Sequence, residues 1–295
     1  VDVVKIIDIL NKKKPSVSFE VFPPKENSKL ADVMNTVERL SRQKPDFISV
    51  TYGAGGGTCA NTCEIADYIQ SRLGVTSLAH LTCVSSTSNE IRKITAELKN
   101  KGLHNVLALR GDIPKDVEHP SPGHYKQAAD LIRDLVKEGG FCVGGACYPE
   151  GHVDNPNKEK DIDYLKEKVD AGCAFLITQL FFDNNVLYNF LYRLFQKNIN
   201  VPVIAGIMPV TNINSIRRMT KLSGATLTPK YKAMLDRFEH SPEALRQAGT
   251  AYAVEQIIDL ISNGVSGIHI YTMNKPEIAE SIMAGISEII GSEKK

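Results

Sequence analysis

The sequence predicts an α/β fold, a closed (β/α)8 TIM barrel in a single domain spanning residues 1–295, with an extra C-terminal helix after the last strand. Three observations predict it. Short apolar runs alternate with longer amphipathic runs, the pattern of a parallel sheet joined by crossover helices. The alternation yields eight units, which suit a closed barrel better than an open sheet. Several of the short runs are apolar on both faces, as expected of strands covered by helices on one side. A chain of 295 residues could hold two domains, but α/β barrels routinely use such a length as one.

The first strand is expected over 16–22, where Val17, Phe19 and Val21 favour extended structure until Pro23-Pro24 forbids a further ladder. A helix over 30–42 leads to a strand at 46–52, ending on Thr51-Tyr52-Gly53. The glycine-rich run Gly53-Ala54-Gly55-Gly56-Gly57 follows and precedes a helix at 59–72. Its amides could meet an anion, although a flexible lid or a simple turn is the readier account and the dinucleotide fingerprint is absent. Strands at 77–83, 105–110 and 141–148 alternate with helices at 89–99, 124–137 and 159–171. Strands at 175–182 and 201–208 are followed by helices at 186–197 and 214–222. The stretch 223–241 is the longest irregular one, read as a loop extension carrying a short helix. A long helix at 242–263, a strand at 267–272 and a last helix at 276–290 complete the pattern.

Composition excludes some functions. Lys plus Arg is 35 and Asp plus Glu is 34, so no global field draws nucleic acid, and an anionic ligand must be met by local charges. No apolar run reaches the ~18 residues that span a bilayer, so no membrane insertion is expected. The segment Val1-Asp2-Val3-Val4-Lys5 does not read as a secretory signal. Six scattered cysteines are then reduced thiols of a cytoplasmic protein. Cys59 and Cys63 are four apart, but without a second pair they do not make a zinc site, and no metal is expected.

The chemistry of such a barrel lies at the C-terminal ends of its strands. Polar residues gathered there are Glu20, Thr51, His80, Arg110-Gly111-Asp112, Tyr148 with Glu150 and His152, Gln179, Thr211-Asn212, His269, Tyr271 and Lys275. Glu20 stands out, because a carboxylate in an apolar strand is costly unless paired or neutral. It is either a proton donor or half of a buried ion pair. Glu20 and Asp112 share one mouth, and different surroundings can make one carboxyl an acid and leave the other an anion. Arg110 can pair with Asp112 or face a phosphate. His80, alone in an apolar strand, reads first as a hydrogen-bonded core residue. Gln179 can donate and accept, which suits a flat heterocyclic amide.

Taken in order, these segments resemble a known family. They are Ser18-Phe19-Glu20-x-Phe22-Pro23-Pro24, Val50-Thr51-Tyr52-Gly53-Ala54, His80-Leu81-Thr82-Cys83, Leu109-Arg110-Gly111-Asp112, Tyr148-Pro149-Glu150-x-His152, Thr178-Gln179-x-Phe181-Phe182-Asp183 and Tyr271-Thr272-x-Asn274. The chain resembles methylenetetrahydrofolate reductase in its bacterial, catalytic-domain-only form, with no room for the regulatory domain of eukaryotic members.

The resemblance implies FAD bound non-covalently, reduction of 5,10-methylenetetrahydrofolate to 5-methyltetrahydrofolate, and NADH or NADPH as cosubstrate in a ping-pong cycle. It implies Glu20 as general acid toward folate N10 and Asp112 as an electrostatic contact of flavin and pterin. Thr51, His80, Arg110, Gly111, Asp112, Tyr148, His152, Asp161 and Lys168 match positions around FAD, and Ala128 matches after a variable loop. Glu20, Asp112, Gln179, Tyr271 and Lys275 are the implied substrate contacts. Ile213 replaces a frequent stacking phenylalanine, and Glu167 stands where one branch has a basic FAD contact. The implied assembly is a homo-oligomer or a complex with a partner subunit.

Overall fold

The computed structural model describes residues 4–13, 15–52, 58–84, 86–113, 125–153, 155 and 157–292. A short helix, α1 (Ile6–Lys12), precedes strands β1 (Ser16–Val21), β2 (Phe47–Val50), β3 (Thr76–Thr82), β4 (Asn105–Leu109), β5 (Cys142–Cys147), β6 (Phe175–Thr178), β7 (Val203–Ile207) and β8 (Gly267–Tyr271). The strands close a barrel in chain order, each parallel to the next. The seam is β1 against β8, in register from Ser16↔Gly267 to Glu20↔Tyr271. All eight expected strands are present.

Around them lie α2 (Leu30–Ser41), α3 (Thr58–Asp67), α4 (Ser88–Asn100), α5 (Ala128–Glu138), α6 (Lys158–Asp170), α7 (Asn184–Gln196), α8 (Ile213–Ser223), α9 (Pro229–Phe238), α10 (Pro242–Ser262) and α11 (Pro276–Ser292). The ends of α3 wind into a π-helical turn over Tyr68–Arg72. Local chemistry starts several of these helices. The Thr87 hydroxyl and Glu90 carboxylate cap each other's backbone at α4, Asn212 accepts from Ser215 N–H at 3.0 Å before α8, and Thr228 accepts from Tyr231 N–H at 3.1 Å before α9. Each such cap contributes about 1 kcal/mol. Helix α9 is the short helix expected within 223–241.

Three expectations need correction. Helix α1 is absent from the sequence reading. The helix expected at 124–137 starts at Ala128, because the Asp130 carboxylate takes the N–H groups of Lys126 and Gln127 at 3.2 Å and caps the chain there. His124 lies outside the described residues. The strand expected over 175–182 stops at Thr178, because the Gln179 side-chain oxygen takes Leu180 N–H at 2.8 Å and removes it from any ladder.

Side chains alternate across each strand. Val17, Phe19 and Val21 of β1 join Val33, Val37 and Leu40 of α2 in the layer between sheet and helices. Phe47, Leu78, Leu107, Cys142, Phe175, Ile177 and Ile204 meet Ile6 and Leu10 in a second cluster, so α1 plugs the bottom of the lumen. Gly144 leaves the space that Phe175 fills, since a Cβ there would stand 2.4 Å from the ring. Asn105 ties the plug down, accepting from Ile6 N–H at 2.9 Å and donating to the Val4 carbonyl at 3.0 Å. The apolar floor leaves the polar lumen positions at the opposite, C-terminal mouth.

Candidate active site

Glu20 is the last lumen-facing residue of β1, and its side chain retains 21% exposure. It is therefore at the mouth, not sealed within an apolar layer. Its Oε2 lies 3.7 Å from Nε2 of His80 on β3 and 3.7 Å from Nε2 of His269 on β8. Both distances exceed a hydrogen bond. Burial lowers the His80 pKa to about 4, against the opposing pull of Glu20 and with a further push from His269. A neutral imidazole makes no ion pair, so the alternative reading of Glu20 as half of a buried salt bridge finds no support on the His80 side. His80 Nε2 is also without a hydrogen-bond partner among the described residues, which corrects the expectation of a satisfied core histidine.

His269 is fully buried. Its Nδ1 shares a 2.7 Å hydrogen bond with Ser18 Oγ and its Nε2 a 3.2 Å one with Ser49 Oγ. The ring lies nearly parallel to Phe47 at 5.8 Å and edge-on to Tyr271 at 5.5 Å. Sequence reading placed His269 at the mouth but missed both serines. The period of the strand could have found Ser18, two residues before Glu20 and so on the same face.

Tyr271 crosses the mouth. Its hydroxyl donates to the Thr178 carbonyl at 2.5 Å, and burial together with Glu20 raises its pKa well above the usual phenol range. Gly206 on β7 makes this possible, because a Cβ would meet the Tyr271 oxygen at 2.5 Å. Tyr271 thus has its ring, not its hydroxyl, to offer a substrate. Beyond it stands Tyr148, pushed up to about 12 by burial, with Arg110, Asp112 and Asp161 acting on it electrostatically. Asp112 is exposed at the end of β4. Glu20 ends β1 and Asp112 follows the end of β4, both at the C-terminal side of the barrel.

The β5 side carries a group of side-chain contacts. His152 packs edge-on against Tyr148 at 4.6 Å. Asp161 accepts from His152 N–H and, at 2.7 Å, from Asn155, so its carboxylate joins these two residues. Lys168 donates to the Ala146 carbonyl at 2.9 Å, and burial lowers its pKa. Burial likewise raises the neighbouring thiols of Cys147 and Cys173, which keeps them inert. Glu167 accepts from Gln127 at 3.0 Å, and Ala128 begins α5 directly after that glutamine.

On the other side, Gln179 has its carbonyl taken by Leu180, which leaves its N–H donors for a ligand. Lys275 is exposed and donates to Thr211 Oγ1 at 3.2 Å. Thr51 is fixed by its N–H to the Val21 carbonyl at 3.0 Å. The glycine-rich run 53–57 lies outside the described residues, as does the side chain of Cys59. Among the described residues, no group of three His, Cys, Asp or Glu is arranged to hold a metal ion, and no helix is long and apolar enough to cross a membrane.

Comparison with known proteins places the chain in a family. The family model described as Methylenetetrahydrofolate reductase matches residues 5–287. The chain is 35% identical over 285 residues to the 5,10-methylenetetrahydrofolate reductase of Buchnera aphidicola, covering 93% of this chain and 95% of the relative. It is 34% identical over 267 residues to that of Pectobacterium carotovorum, covering 90% and 88%. Among solved structures, an uncharacterised protein from Clostridium thermocellum that binds two copies of 5-methyl-5,6,7,8-tetrahydrofolic acid shares the fold, with a TM-score of 0.64 at 16% identity, covering 96% of this chain and 98% of that one.

Proposed function

The chain belongs to the methylenetetrahydrofolate reductase family of oxidoreductases, and on that premise we propose that it reduces 5,10-methylenetetrahydrofolate to 5-methyltetrahydrofolate, with FAD as bound carrier and NADH or NADPH as donor. The observation that carries this reading is Glu20, a half-buried carboxyl at the barrel mouth with a neutral imidazole beside it. A fold neighbour at 16% identity binds 5-methyl-5,6,7,8-tetrahydrofolic acid, which accords with a folate product.

The residues present fit FAD. The His80 Nε2, unpartnered among the described residues, and the half-buried Arg110 and Lys168 provide a polar heterocycle contact and two cations for a diphosphate. Thr51, Gly111, Asp112, Ala128, Tyr148, His152 and Asp161 complete the group that would hold it. When bound, FAD would accept hydride from a reduced nicotinamide and deliver it to the folate methylene carbon.

The protein's own part is acid chemistry and orientation. Glu20, as a carboxylic acid, would give its proton to folate N10 as the N10–methylene bond breaks and its electron pair moves to nitrogen, leaving an iminium at N5. Asp112, on the solvent side, would stabilise that cation. The Gln179 N–H donors and the Tyr271 ring would set the pterin plane, and Lys275 would meet a carboxylate of the glutamate tail.

Only the folate step needs a proton. Glu20→Gln is therefore expected to leave reduction of bound flavin by NADH within about twofold of the parent, and to slow reoxidation by methylenetetrahydrofolate by about 10²-fold or more. Anaerobic stopped-flow of the two half-reactions reads both. Equal losses in both would remove Glu20 as the acid, and a purified chain that neither carries nor takes up flavin would sink the whole reading. NADH-driven reduction without any added protein separates a self-sufficient enzyme from a subunit that needs a partner.

A further inference from the structure

The β1–β8 ladder ends at Glu20↔Tyr271, yet the chain beyond Glu20 is not free. After β8 the backbone turns through two successive left-handed residues, Met273 and Asn274, each at φ 53°. Residues with a side chain seldom adopt that region, methionine least readily of the two, and it persists only where surroundings hold it. What the turn achieves is the placement of one carboxamide. Asn274 Oδ1 accepts from Phe22 N–H at 3.0 Å, and Asn274 Nδ2 donates to the Phe22 carbonyl at 2.9 Å. One side-chain amide thus occupies both backbone groups of Phe22, as a neighbouring strand residue would.

Thr272 closes the gap between this amide and the ladder. Its hydroxyl donates to the Glu20 carbonyl at 2.6 Å and accepts from Asn274 N–H at 3.2 Å. Pro23 and Pro24 follow Phe22 and have no N–H, so the segment has no further donor with which to hold itself. Up to Glu20 the chain is held by the backbone ladders, and Val21 by the Thr51 N–H of the β2 side; at the Glu20 carbonyl and at Phe22, β8 reaches it through the Thr272 and Asn274 side chains.

We propose that Asn274, through Thr272 and Phe22, is the positioning residue of Glu20, setting where its carboxyl stands in the mouth. The proposal rests on the reading of Glu20 as the acid. It is specific about chemistry. Aspartate keeps the acceptor for Phe22 N–H but sets an anionic oxygen against the Phe22 carbonyl. Alanine removes both contacts and the left-handed preference of asparagine. Glutamine is one methylene too long for the same pair of bonds.

The test compares Asn274→Ala and Asn274→Asp with Glu20→Gln and the parent. Two readouts are used, hydrogen exchange at the Phe22 amide and the two half-reactions, with dithionite or NADH reducing the flavin. Asn274→Ala is expected to lose protection at Phe22 by tenfold or more and to keep flavin reduction within twofold. Its reoxidation at saturating methylenetetrahydrofolate should slow at least tenfold with little change in apparent folate affinity. Asn274→Asp should fall between it and the parent in both, and it carries the test should the alanine variant not fold. Parent-like reoxidation in both Asn274 variants, with Glu20→Gln inactive, overturns the positioning role and leaves the acid standing. Equal losses in both half-reactions show general damage and also overturn it. Parent-like reoxidation in Glu20→Gln removes the acid itself, and the positioning role with it.

Discussion

A ring nitrogen buried with no hydrogen-bond partner among the described residues is a costly thing to keep, and His80 keeps its cost low by remaining neutral. Its ordinary value near 6.5 falls to about 4 in the folded protein. Between those values the unfolded chain takes up a proton that the native state refuses. The associated stability is therefore fully present above about pH 6.5 and is lost as pH falls toward 4, amounting to roughly 3 kcal/mol by the end. His80→Gln should flatten that part of the stability profile. Urea titrations at pH 7, 5.5 and 4.5 decide it, and parallel profiles for variant and parent would assign the loss elsewhere. Single residues were unevenly legible in the sequence. Glu20 announced itself as a charge in an apolar run, and Arg110 and Tyr148 as polar groups at strand ends. The serines that hold His269 did not, because a hydroxyl in a strand is unremarkable until its neighbour across the lumen is known.

Among elements, strands were the easiest to read. Their apolar runs are buried on both faces, so composition alone marks them, and only their ends needed correcting. At 178–180 the ladder yields to a side chain reaching its own neighbour, an event of rotamers and not of pattern. Helix α1 was invisible because seven residues hold too little periodicity. Its stability comes from what it covers, with Ile6 and Leu10 fully buried. The layer it seals should be stiff to truncation. Phe175→Ala is expected to cost about 3–5 kcal/mol, because the floor of a closed barrel collapses little around a lost ring. Phe195→Ala on α7, where the side chain is 71% exposed, should stay within about 0.5 kcal/mol. Denaturation midpoints at unchanged m-values measure both, and a loss under 1 kcal/mol at Phe175 would contradict the packing described for the floor.

For the whole molecule, a cofactor held by the native state and not by the unfolded chain stabilises by mass action, about 2.7 kcal/mol at a hundredfold excess over its Kd. Added FAD should therefore raise the thermal midpoint by several degrees. Lys168→Met should shrink that rise while leaving the flavin-free midpoint equal or higher, since it removes a half-buried, partly desolvated charge. An undiminished rise would take Lys168 out of the group that holds the diphosphate. Fold class was legible at this scale because eight repeats of one unit admit few closures. What repetition could not show is which segments meet across the seam. The groups around Glu20 come from both ends of the chain, with His269 249 residues and Asn274 252 residues from the partners they touch or flank. Contacts so distant in sequence are the slowest to form, since the intervening loop entropy is lost before they return anything. During synthesis, the first strand must wait for the last before the barrel can shut. A nascent or stalled chain can therefore own most of its strands and still lack the acid's surroundings, so that proton-donating competence appears only with the final closure of the fold.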